Sequence, residues 1–439
     1  MLLDQFVAND WSYVGEGNAN IVVRYMGQDV ELKRKVLRVK KKQVYTESAA
    51  KFSQQFTDKI IARLLGQEYV LPFEIVHVSR KFLIELASHI EPQRPLCRLE
   101  KKINCDSTVA ILLEDLTESN SIPTLTFELK PKWGFKPRSS LIRYPKLKQT
   151  HCRFCMHSHY RNKHVPDYCP LDLYSRDETR VTKAIEVLTT CKSLTKTLKI
   201  SSDLCLNMDD IKHVLKEIIL KDPILSRIQK LQRQLDELDI EGIFPIYEKH
   251  KPIKNIDIEQ WVKVIDNFEK GHRADMIQRL YEYVLSMTFK DCSLLVNARH
   301  IKDGDRMKHI RLRNGIYIGY DIKVIDTDLK DIEKIPYWYE LDQTIVHYAK
   351  DTHFNKVCVE QVILGTLQNP KKVILSRTAE QKLVKAICSL IQKLLRASIR
   401  ENLRARLDLF KMKLWIYRVS ERANHLLLPL WKQSSFDCG

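Results

Sequence analysis

Short runs of apolar residues, many of them alternating with polar ones, occupy the first 120 positions and predict a small antiparallel sheet. Residues 11–42 predict three strands joined by a glycine-containing turn and a polar turn. Apolar residues then recur at helical spacing from Phe52 to Leu64, where Thr46 is suited to cap the helix and Gly66 to end it. Two further strands are predicted at residues 74–78 and 109–116.

The pattern changes after residue 116. Residues 117–123 are polar and turn-rich, which makes them a candidate hinge, and the strand at 124–130 runs directly into a proline-broken segment. Beyond Asp177 helical periodicity dominates, interrupted by short strands after Cys292 and at residues 317–326. Helices are predicted at residues 178–191, 209–238, 257–288 and 378–416. We therefore expect a small β-rich part followed by a larger, mainly helical part.

Charge adds the first functional constraint. The 439 residues carry 73 Lys and Arg against 55 Asp and Glu, a formal net charge of +18. Such a surplus favours an anionic partner, which is nucleic acid, a membrane surface or a heavily phosphorylated small molecule. With 44% apolar residues the chain is of ordinary globular composition, so a disordered basic tail is excluded as its main character.

We expect neither a membrane span nor a secretion signal. No apolar stretch approaches the ~18 residues of a membrane span, and the first ten residues contain two acids and no basic segment. Eleven cysteines in a chain of this length are too sparse for a disulfide scaffold. We expect a soluble protein in a reducing compartment.

The placement of the cysteines is more informative than their number. Three cysteines and four histidines fall between His151 and Cys169, and they begin with the pair Cys152-x2-Cys155. Zinc prefers four nitrogen or sulfur ligands, and a Cys-x2-Cys pair followed by a further His and Cys is a familiar structural arrangement. The segment therefore predicts a zinc site, the alternative being loosely packed thiols and solvent-facing histidines.

A glycine-rich turn is the first candidate nucleotide site. Gly15 and Gly17 lie between two predicted strands, where glycines let backbone amides approach a phosphate, but Asn20 replaces the third glycine of a GxGxxG motif. Arg38 lies on the third strand, where a kinase would carry its phosphate-binding lysine. The alternatives are an ordinary hairpin turn and a solvated cation at a strand edge.

The octapeptide ELKPKWGF is the most distinctive segment of the chain. Strand alternation places Glu128 and Lys130 on one face, and the following proline and glycine let Lys130 and Lys132 converge. Two lysines held at a strand end form a phosphate clamp. The alternative is a strand that ends in an exposed basic turn.

Two aspartates stand in strand-like contexts, Asp291 in FKDCSLLV and Asp326 in VIDTDLK. In a kinase-like site one carboxylate accepts the hydroxyl proton and another holds Mg²⁺ on the nucleotide phosphates. Aspartates are also common caps at strand ends, and spacing alone does not make these two a pair.

These segments together resemble the inositol-pentakisphosphate 2-kinases. The resemblance rests on GEGNAN, RPLCRL, ELKPKWGF, RFCMHSH, CPLDLYS, KDCSLL and IDTDLK, which run in family order from residue 15 to about 330. It implies a two-lobed α+β fold distantly like that of protein kinases, with a small β-rich, nucleotide-binding N-lobe at 1–120 and a larger, mainly helical, inositol-phosphate-binding and catalytic C-lobe at 121–439. The zinc-binding insertion expected from the cysteines and histidines near 151–169 lies in this C-lobe. The implied reaction is ATP-dependent phosphorylation of the 2-hydroxyl of inositol 1,3,4,5,6-pentakisphosphate, giving the hexakisphosphate.

The resemblance also implies residue roles. Asp291 is the base for the 2-hydroxyl, and Asp326 is the Mg²⁺ ligand. The residues implied for substrate phosphates are Arg94, Lys130, Lys132, His157, Arg161, Lys330 and Lys334. The residues implied for ATP are Gly15, Gly17, Asn20 and Arg38, with Glu114 and Asp115 near the hinge that holds the adenine and ribose.

The chain departs from the family pattern in two places. The usual pair of asparagines is replaced by Lys196 and Thr197, which puts substrate contacts there in question. The zinc site of plant members lies downstream, where this chain has only Cys205 between residues 192 and 291. We expect zinc instead at the ligands Cys152, Cys155, Cys169 and His159, with His164 as the alternative fourth ligand.

Two other functions compete with this interpretation. Basic charge with a Cys-x2-Cys pair is typical of a zinc-containing nucleic-acid-binding protein, yet aromatic residues make up only 8% and no RNP, KH or C2H2 pattern is present. A kinase-like scaffold without activity is the second alternative, and the presence of Asp291 and Asp326 argues against it. A monomer is expected, and a nuclear location is implied by fungal relatives and by the basic run at residues 40–42.

Overall fold

A computed structural model of the chain describes residues 7–117, 123–272, 274–301 and 306–360. The helix expected at 378–416 and most of the expected hinge, residues 118–122, lie outside these ranges. Within them the protein is a mixed α/β structure built on two antiparallel five-stranded sheets. No helix in the described ranges has the length and hydropathy to cross a bilayer.

The first sheet is formed by the N-terminal residues, in the order β1-β2-β3-β5-β4. Its strands are β1 (Trp11–Glu16), β2 (Asn20–Tyr25), β3 (Lys35–Lys40), β4 (Phe73–His77) and β5 (Val109–Glu114). A register shift between Tyr13 and Gly15 precedes the turn that joins β1 to β2. The five strands confirm the sheet that the alternating pattern predicts.

The second sheet has the order β7-β6-β8-β10-β9. Its strands are β6 (Thr124–Leu129), β7 (Leu198–Ser202), β8 (Ser293–His300), β9 (Lys308–Arg311) and β10 (Tyr317–Ile325). Antiparallel pairing of Leu129 with Leu294, and of Ser293 with Ile325, brings the end of β6, the start of β8 and the end of β10 to one edge. The residues that follow β6 and β10 and precede β8 therefore meet at that edge.

Helices fill most of the remaining described chain. They are α1 (Glu47–Phe56), α2 (Ala62–Leu65), α3 (Arg80–Ile90), α4 (Pro145–Lys148), α5 (Arg153–Asn162), α6 (Pro170–Leu173), α7 (Glu178–Thr190), α8 (Met208–Lys221), α9 (Ile224–Leu235), α10 (Asp239–His250), α11 (Ile258–Lys270), α12 (Met276–Asp291) and α13 (Ile335–Asp351). A π-helical turn, Thr57–Ile61, joins α1 to α2.

Several helix ends follow the local signals of the sequence. The Thr46 side chain accepts a hydrogen bond from the Ala49 amide and caps α1, and Gly66 ends α2 with a φ of 99°, a conformation that favours glycine. Two long predicted helices are each divided, because Pro223 separates α8 from α9 and Gly271 ends α11 in the left-handed region.

One predicted context is wrong. Asp291 is the last residue of helix α12 rather than part of a strand, and β8 begins only at Ser293. The apolar run SLLV does form the strand, but the preceding segment keeps helical periodicity and buries Phe289 completely. Helices α3, α5, α10 and α13 were not among the predicted elements.

Two apolar cores accompany the two sheets. One cluster joins Trp11 and Leu37 of the first sheet to helix α3. A larger one joins Phe127 of β6 to Phe289 of α12 and to the helices around them. Because α12 packs on the sheet whose edge it adjoins, its C-terminal residue lies at the ends of β6 and β10.

Candidate active site

The edge of the second sheet brings together two predicted site residues, Lys130 and Asp326, and one residue that was not predicted, Ser293. Lys130 follows β6, and its Nζ donates to Ser293 Oγ at 2.8 Å and to Asp326 Oδ2 at 2.9 Å. Ser293 Oγ donates to the same Asp326 oxygen at 3.1 Å. Asp326 directly follows β10 and adopts a φ of 61°, which aspartate tolerates better than most residues. The strand ends thus place a lysine and a carboxylate in direct contact.

Asp291 is held by two further lysines at the same edge. Its Oδ1 lies 3.6 Å from Lys132 Nζ, and its Oδ2 accepts from Lys330 Nζ at 3.2 Å. Burial alone would raise the pKa of Asp291, but Lys330 and then Lys132 lower it below its usual value. The carboxylate is therefore ionised at neutral pH, and its side chain is 60% exposed. It is a proton acceptor that a ligand can reach.

The backbone of the ELKPKWGF segment is fixed in an unusual conformation. Lys132 has a φ of 60°, which costs energy for a residue with a Cβ. Its carbonyl accepts a hydrogen bond from Tyr174 Oη at 3.1 Å. A Cβ at Gly134 would lie 2.7 Å from the Tyr174 ring, so only glycine fits against this tyrosine.

Helix α5 brings His157 to the lysines. Its ring is half-buried, and desolvation, with the positive charges of Arg153, Arg161 and Lys132, lowers the pKa of His157 to about 4. Arg161 lies one turn further along the same face of α5 and is exposed. Lys334 ends the short helical turn Ile332–Lys334 and is exposed.

The glycine turn lies in the first sheet. A Cβ at Gly15 or Gly17 would meet no atom within 4 Å, and neither glycine has a positive φ. Packing and backbone conformation therefore do not require glycine at these positions. A ligand that approaches the backbone closely would require it, because a side chain would block the approach.

Asn20 and Arg38, on β2 and β3, both face Asp328. Arg38 Nη2 lies 3.1 Å from Asp328 Oδ1, and Asn20 Nδ2 lies 3.4 Å from Asp328 Oδ2. Burial raises the pKa of Asp328, but Arg38 and Lys40 outweigh it and lower the pKa below its usual value. The contact ties the first sheet to the segment that follows β10. Sequence reasoning missed Asp328, although its place two residues after Asp326 was a visible signal.

Arg94 is placed differently from the lysines. It is 8% exposed and forms a two-pronged ion pair with Glu16, at 2.9 and 3.0 Å. Lys41 contacts the same carboxylate. Although burial raises the pKa of Glu16, hydrogen bonds from Arg94 and Lys41 lower it overall. The structure does not bring Arg94 to Lys130 or Lys132. Arg94 instead holds Glu16, the last residue of β1, beside the glycine turn.

The two acidic residues at the end of β5 are also paired. Glu114 accepts from Arg34 at 3.0 Å on the surface. Asp115 is buried and bonds to Arg24, while its Oδ1 accepts from the Thr117 amide at 2.8 Å. Asp115 therefore orders the start of the expected hinge.

Three of the predicted zinc ligands lie together. The Sγ atoms of Cys152, Cys155 and Cys169 are all within 4.8 Å of one another, and all three residues are buried. A fourth buried cysteine, Cys358, is beside them, since hydrogen bonds with these three thiols lower its pKa. Sequence reasoning missed Cys358 because it is far away along the chain and has no motif around it.

The predicted histidine ligands lie elsewhere. His159 Nε2 is 3.1 Å from Thr352 Oγ1, and its ring is 5.2 Å from those of Tyr348 and Phe354. His164 is exposed, with Nδ1 3.2 Å from the Asn162 carbonyl. Neither histidine belongs to the group of three thiols, whereas Cys358 packs in the same buried cluster as these cysteines.

Comparison with known proteins identifies the family of the chain. A family model described as inositol-pentakisphosphate 2-kinase matches residues 13–344, which include the residues at the sheet edge and in the glycine turn. An inositol-pentakisphosphate 2-kinase of Cryptococcus neoformans var. neoformans serotype D is 28% identical over 400 residues, covering 78% of this chain and 94% of that protein. The enzyme of the same name from Danio rerio is 25% identical over 461 residues, which cover 79% of this chain and 94% of that protein. The chain belongs to the inositol-pentakisphosphate 2-kinase family.

Proposed function

We propose that this protein transfers the γ-phosphoryl group of ATP to the 2-hydroxyl of inositol 1,3,4,5,6-pentakisphosphate, giving the hexakisphosphate. The observation that carries this function is the sheet edge where Lys130, Lys132 and Lys330 surround Asp291 and Asp326. The relatives are inositol-pentakisphosphate 2-kinases by name and lend no support to the zinc-containing nucleic-acid-binding alternative.

Substrate phosphates bind at this cluster of cations. A substrate with five phosphates needs fixed positive charges on several sides, and phosphoryl transfer depends mostly on positioning and charge stabilisation. The lysines now paired with half-exposed carboxylates can exchange these partners for phosphate oxygens. The proposed phosphate ligands are Lys130, Lys132, His157, Arg161, Lys330 and Lys334. Arg94, which the sequence also predicts as a phosphate ligand, pairs with Glu16 beside the glycine turn in the protein without substrate.

Asp291 is the proposed general base. It accepts the proton of the 2-hydroxyl as the oxygen bonds to the γ-phosphorus, while the bond to the bridging oxygen breaks and ADP leaves. Its lowered pKa keeps the carboxylate ionised at neutral pH. Lys132 and Lys330 hold it in place and lie where they can also neutralise the transferred phosphate.

ATP is proposed to bind between the glycine turn and the end of β10. Gly15 and Gly17 leave room for phosphates. The side chains of Asn20 and Arg38 supply hydrogen-bond donors, which contact the Asp328 carboxylate in the protein without ATP. Glu114 and Asp115 end the strand that leads into the hinge.

Asp326 fits a Mg²⁺ ligand because its carboxylate is 52% exposed, and Mg²⁺ prefers such oxygens. When bound there, Mg²⁺ supplies charge neutralisation on the nucleotide phosphates.

The presence of two separate sheets supports a kinase-like arrangement, in which one lobe binds the nucleotide and the other binds the substrate. Residues 1–120, with the glycine turn, form the proposed nucleotide-binding N-lobe, and residues 121–439 the proposed substrate-binding and catalytic C-lobe. A nuclear location and a monomeric state rest on the family resemblance alone.

A structural zinc ion is proposed at Cys152, Cys155, Cys169 and Cys358. Four buried thiols close together fit the sulfur ligands that structural zinc prefers. The site would fasten helix α5, and with it His157, to the segment after α13. Elemental analysis should find about one zinc per chain. Cys358→Ser should lower this content, whereas His159→Gln and the exposed control Cys205→Ser should keep it. No zinc in metal-replete protein would refute the site.

The function is tested by incubating purified protein with ATP and inositol 1,3,4,5,6-pentakisphosphate and separating the products. The expected product is the hexakisphosphate, with one ADP formed for each. ADP formation without a new inositol phosphate, or phosphorylation only of other acceptors, would contradict the proposal.

A further inference from the structure

A glutamine outside the recognised motifs joins the two segments that carry the reacting groups. Gln232 lies on helix α9 and is completely buried, at 0% exposure. Its side chain donates from Nε2 to the carbonyls of Lys132 and Phe289, both at 2.9 Å. Its Oε1 accepts from the Gly134 amide at 2.8 Å. One side chain thus spans the ELKPKWGF segment and the end of α12.

Each of these bonds bears on the candidate site. The Lys132 carbonyl belongs to a residue in the left-handed conformation, so the hydrogen bonds it accepts help to fix that conformation. Phe289 lies in the last turn of α12, where carbonyls lack partners within the helix. Asp291 follows two residues later. Gln232 therefore fixes the backbone on both sides of the contact between Lys132 and Asp291.

Glutamine is suited to this place by its chemistry. A glutamate would lack the two donors, and a methionine of similar shape would form none of the bonds. Either change would leave the Lys132 carbonyl with Tyr174 alone and the Phe289 carbonyl with the weak thiol donor of Cys292. Gln229, one turn earlier on α9, donates to the Gly134 carbonyl and reinforces the same segment.

We propose that Gln232 is a positioning residue for phosphoryl transfer, which holds Lys132 at a fixed distance from Asp291. This inference rests on the proposed kinase function. Helix α9 lies in a part of the chain where the family motifs are sparse, and through Gln232 it would affect the rate of the reaction.

The test compares Gln232→Met with Gln278→Met in the full chain. Gln278 is another buried glutamine, near the start of α12, and it donates to the His272 carbonyl at 3.1 Å. Gln232→Met should lower kcat/KM for inositol pentakisphosphate by about 10- to 100-fold, because small displacements of reacting groups are costly. KM for ATP should stay unchanged. Gln278→Met should lower the melting temperature but leave kcat/KM within about twofold.

A pH profile separates positioning from a general loss of stability. Lys132 lowers the pKa of Asp291, so loosening Lys132 should raise that pKa. The acid limb of kcat/KM, which reports the pKa of Asp291 in the free protein, should therefore move to higher pH in Gln232→Met and stay in place in Gln278→Met. If Gln232→Met does not fold, Gln232→Asn, which keeps the amide but is one methylene shorter and adds no charge, should show the same displacement.

The outcomes are distinct. An inactive wild type would refute the proposed function itself. An active wild type with the same kcat/KM and the same acid limb in a folded Gln232 variant as in Gln278→Met would overturn the positioning role.

Discussion

The protein contains two sets of lysine–carboxylate pairs that share their chemistry and differ in burial. In the buried set Lys148 lies 2.5 Å from Asp239 and 2.9 Å from Asp342, with its side chain 2% exposed. In the half-exposed set at the sheet edge, Lys330 lies 3.2 Å from Asp291, whose side chain is 60% exposed. The residue types are the same, so exposure alone distinguishes a fixed network from one that can change partners.

The buried pairs are held by their surroundings. Burial lowers the pKa of Lys148, but Asp342 and Asp239 outweigh it and raise the pKa above its usual value. Lys290, next to Asp291 in sequence, pairs with Asp236 at 2.7 Å and lies 4.2 Å from the Trp133 ring centre. These ions cannot exchange partners without exposing a charge to a low-dielectric interior. The difference predicts a stabilising role for the buried set and a ligand-binding role for the exposed set.

Asp291→Asn is the change with the largest expected effect. The amide keeps the shape of the side chain but cannot accept the hydroxyl proton, so kcat should fall by about 10²- to 10⁴-fold. Melting temperature should change little, since the side chain is largely exposed. Steady-state kinetics and thermal unfolding of the same preparation provide both measurements. Turnover at the wild-type rate would remove Asp291 from the reaction.

Lys148→Met should have the opposite profile. Removing Lys148 leaves the buried carboxylate of Asp239 without a cation and that of Asp342 with Arg153 alone, which should cost about 3–5 kcal/mol in the free energy of unfolding. Denaturant unfolding measures this loss. The matched control is Lys51→Met, because Lys51 forms an exposed pair with Glu47 in α1 and the loss of this pair should have far less effect on stability. Equal losses in both variants would show that burial does not separate the two sets.

The double change Lys130→Ala with Lys132→Ala should affect one substrate more than the other. Loss of two phosphate ligands should weaken binding of inositol pentakisphosphate by about 10- to 100-fold, whereas ATP binding at the glycine turn should change by less than about threefold. Calorimetric titration with each ligand measures both affinities. Equal losses for both ligands would mean that these lysines shape the fold and do not discriminate between substrates.

The smallest predicted effect is the uptake of a proton by His157 when the substrate binds. In the free protein desolvation and neighbouring cations lower the pKa of His157 to about 4. This group is therefore neutral near pH 6, and bound phosphates should raise its pKa and draw in a proton. Titration at pH about 6 in buffers of different ionisation enthalpy should show greater proton uptake in the wild type than in His157→Asn. Identical uptake would place His157 away from the substrate.

The local parts of the site were predictable from the sequence. Strand alternation and Pro131 indicate where β6 ends, and Lys130 and Lys132 follow directly. The cap at Thr46 and the stop at Gly66 are likewise signals that act within one turn of the chain. Predictions of this kind succeed because backbone sterics and nearby hydrogen bonds determine them.

Asp291 shows where prediction of secondary structure from the local sequence fails. A strand starts two residues later, and a helix and a strand separated by Cys292 alone leave no turn residues to mark the boundary. The partners brought in by tertiary packing are harder still. Gln232 and Cys358 contact their sites from distant parts of the chain, and no spacing within their own segments indicates those contacts.

A crystal structure of the protein with inositol pentakisphosphate and a non-hydrolysable ATP analogue tests the central claim most directly. We predict that the Nζ atoms of Lys130, Lys132 and Lys330 have exchanged carboxylates for phosphate oxygens. The 2-hydroxyl should lie within hydrogen-bond distance of Asp291, and the buried pair of Lys148 and Asp239 should be unchanged. An inositol phosphate bound away from this edge, or one with its 2-hydroxyl turned from Asp291, would contradict the account.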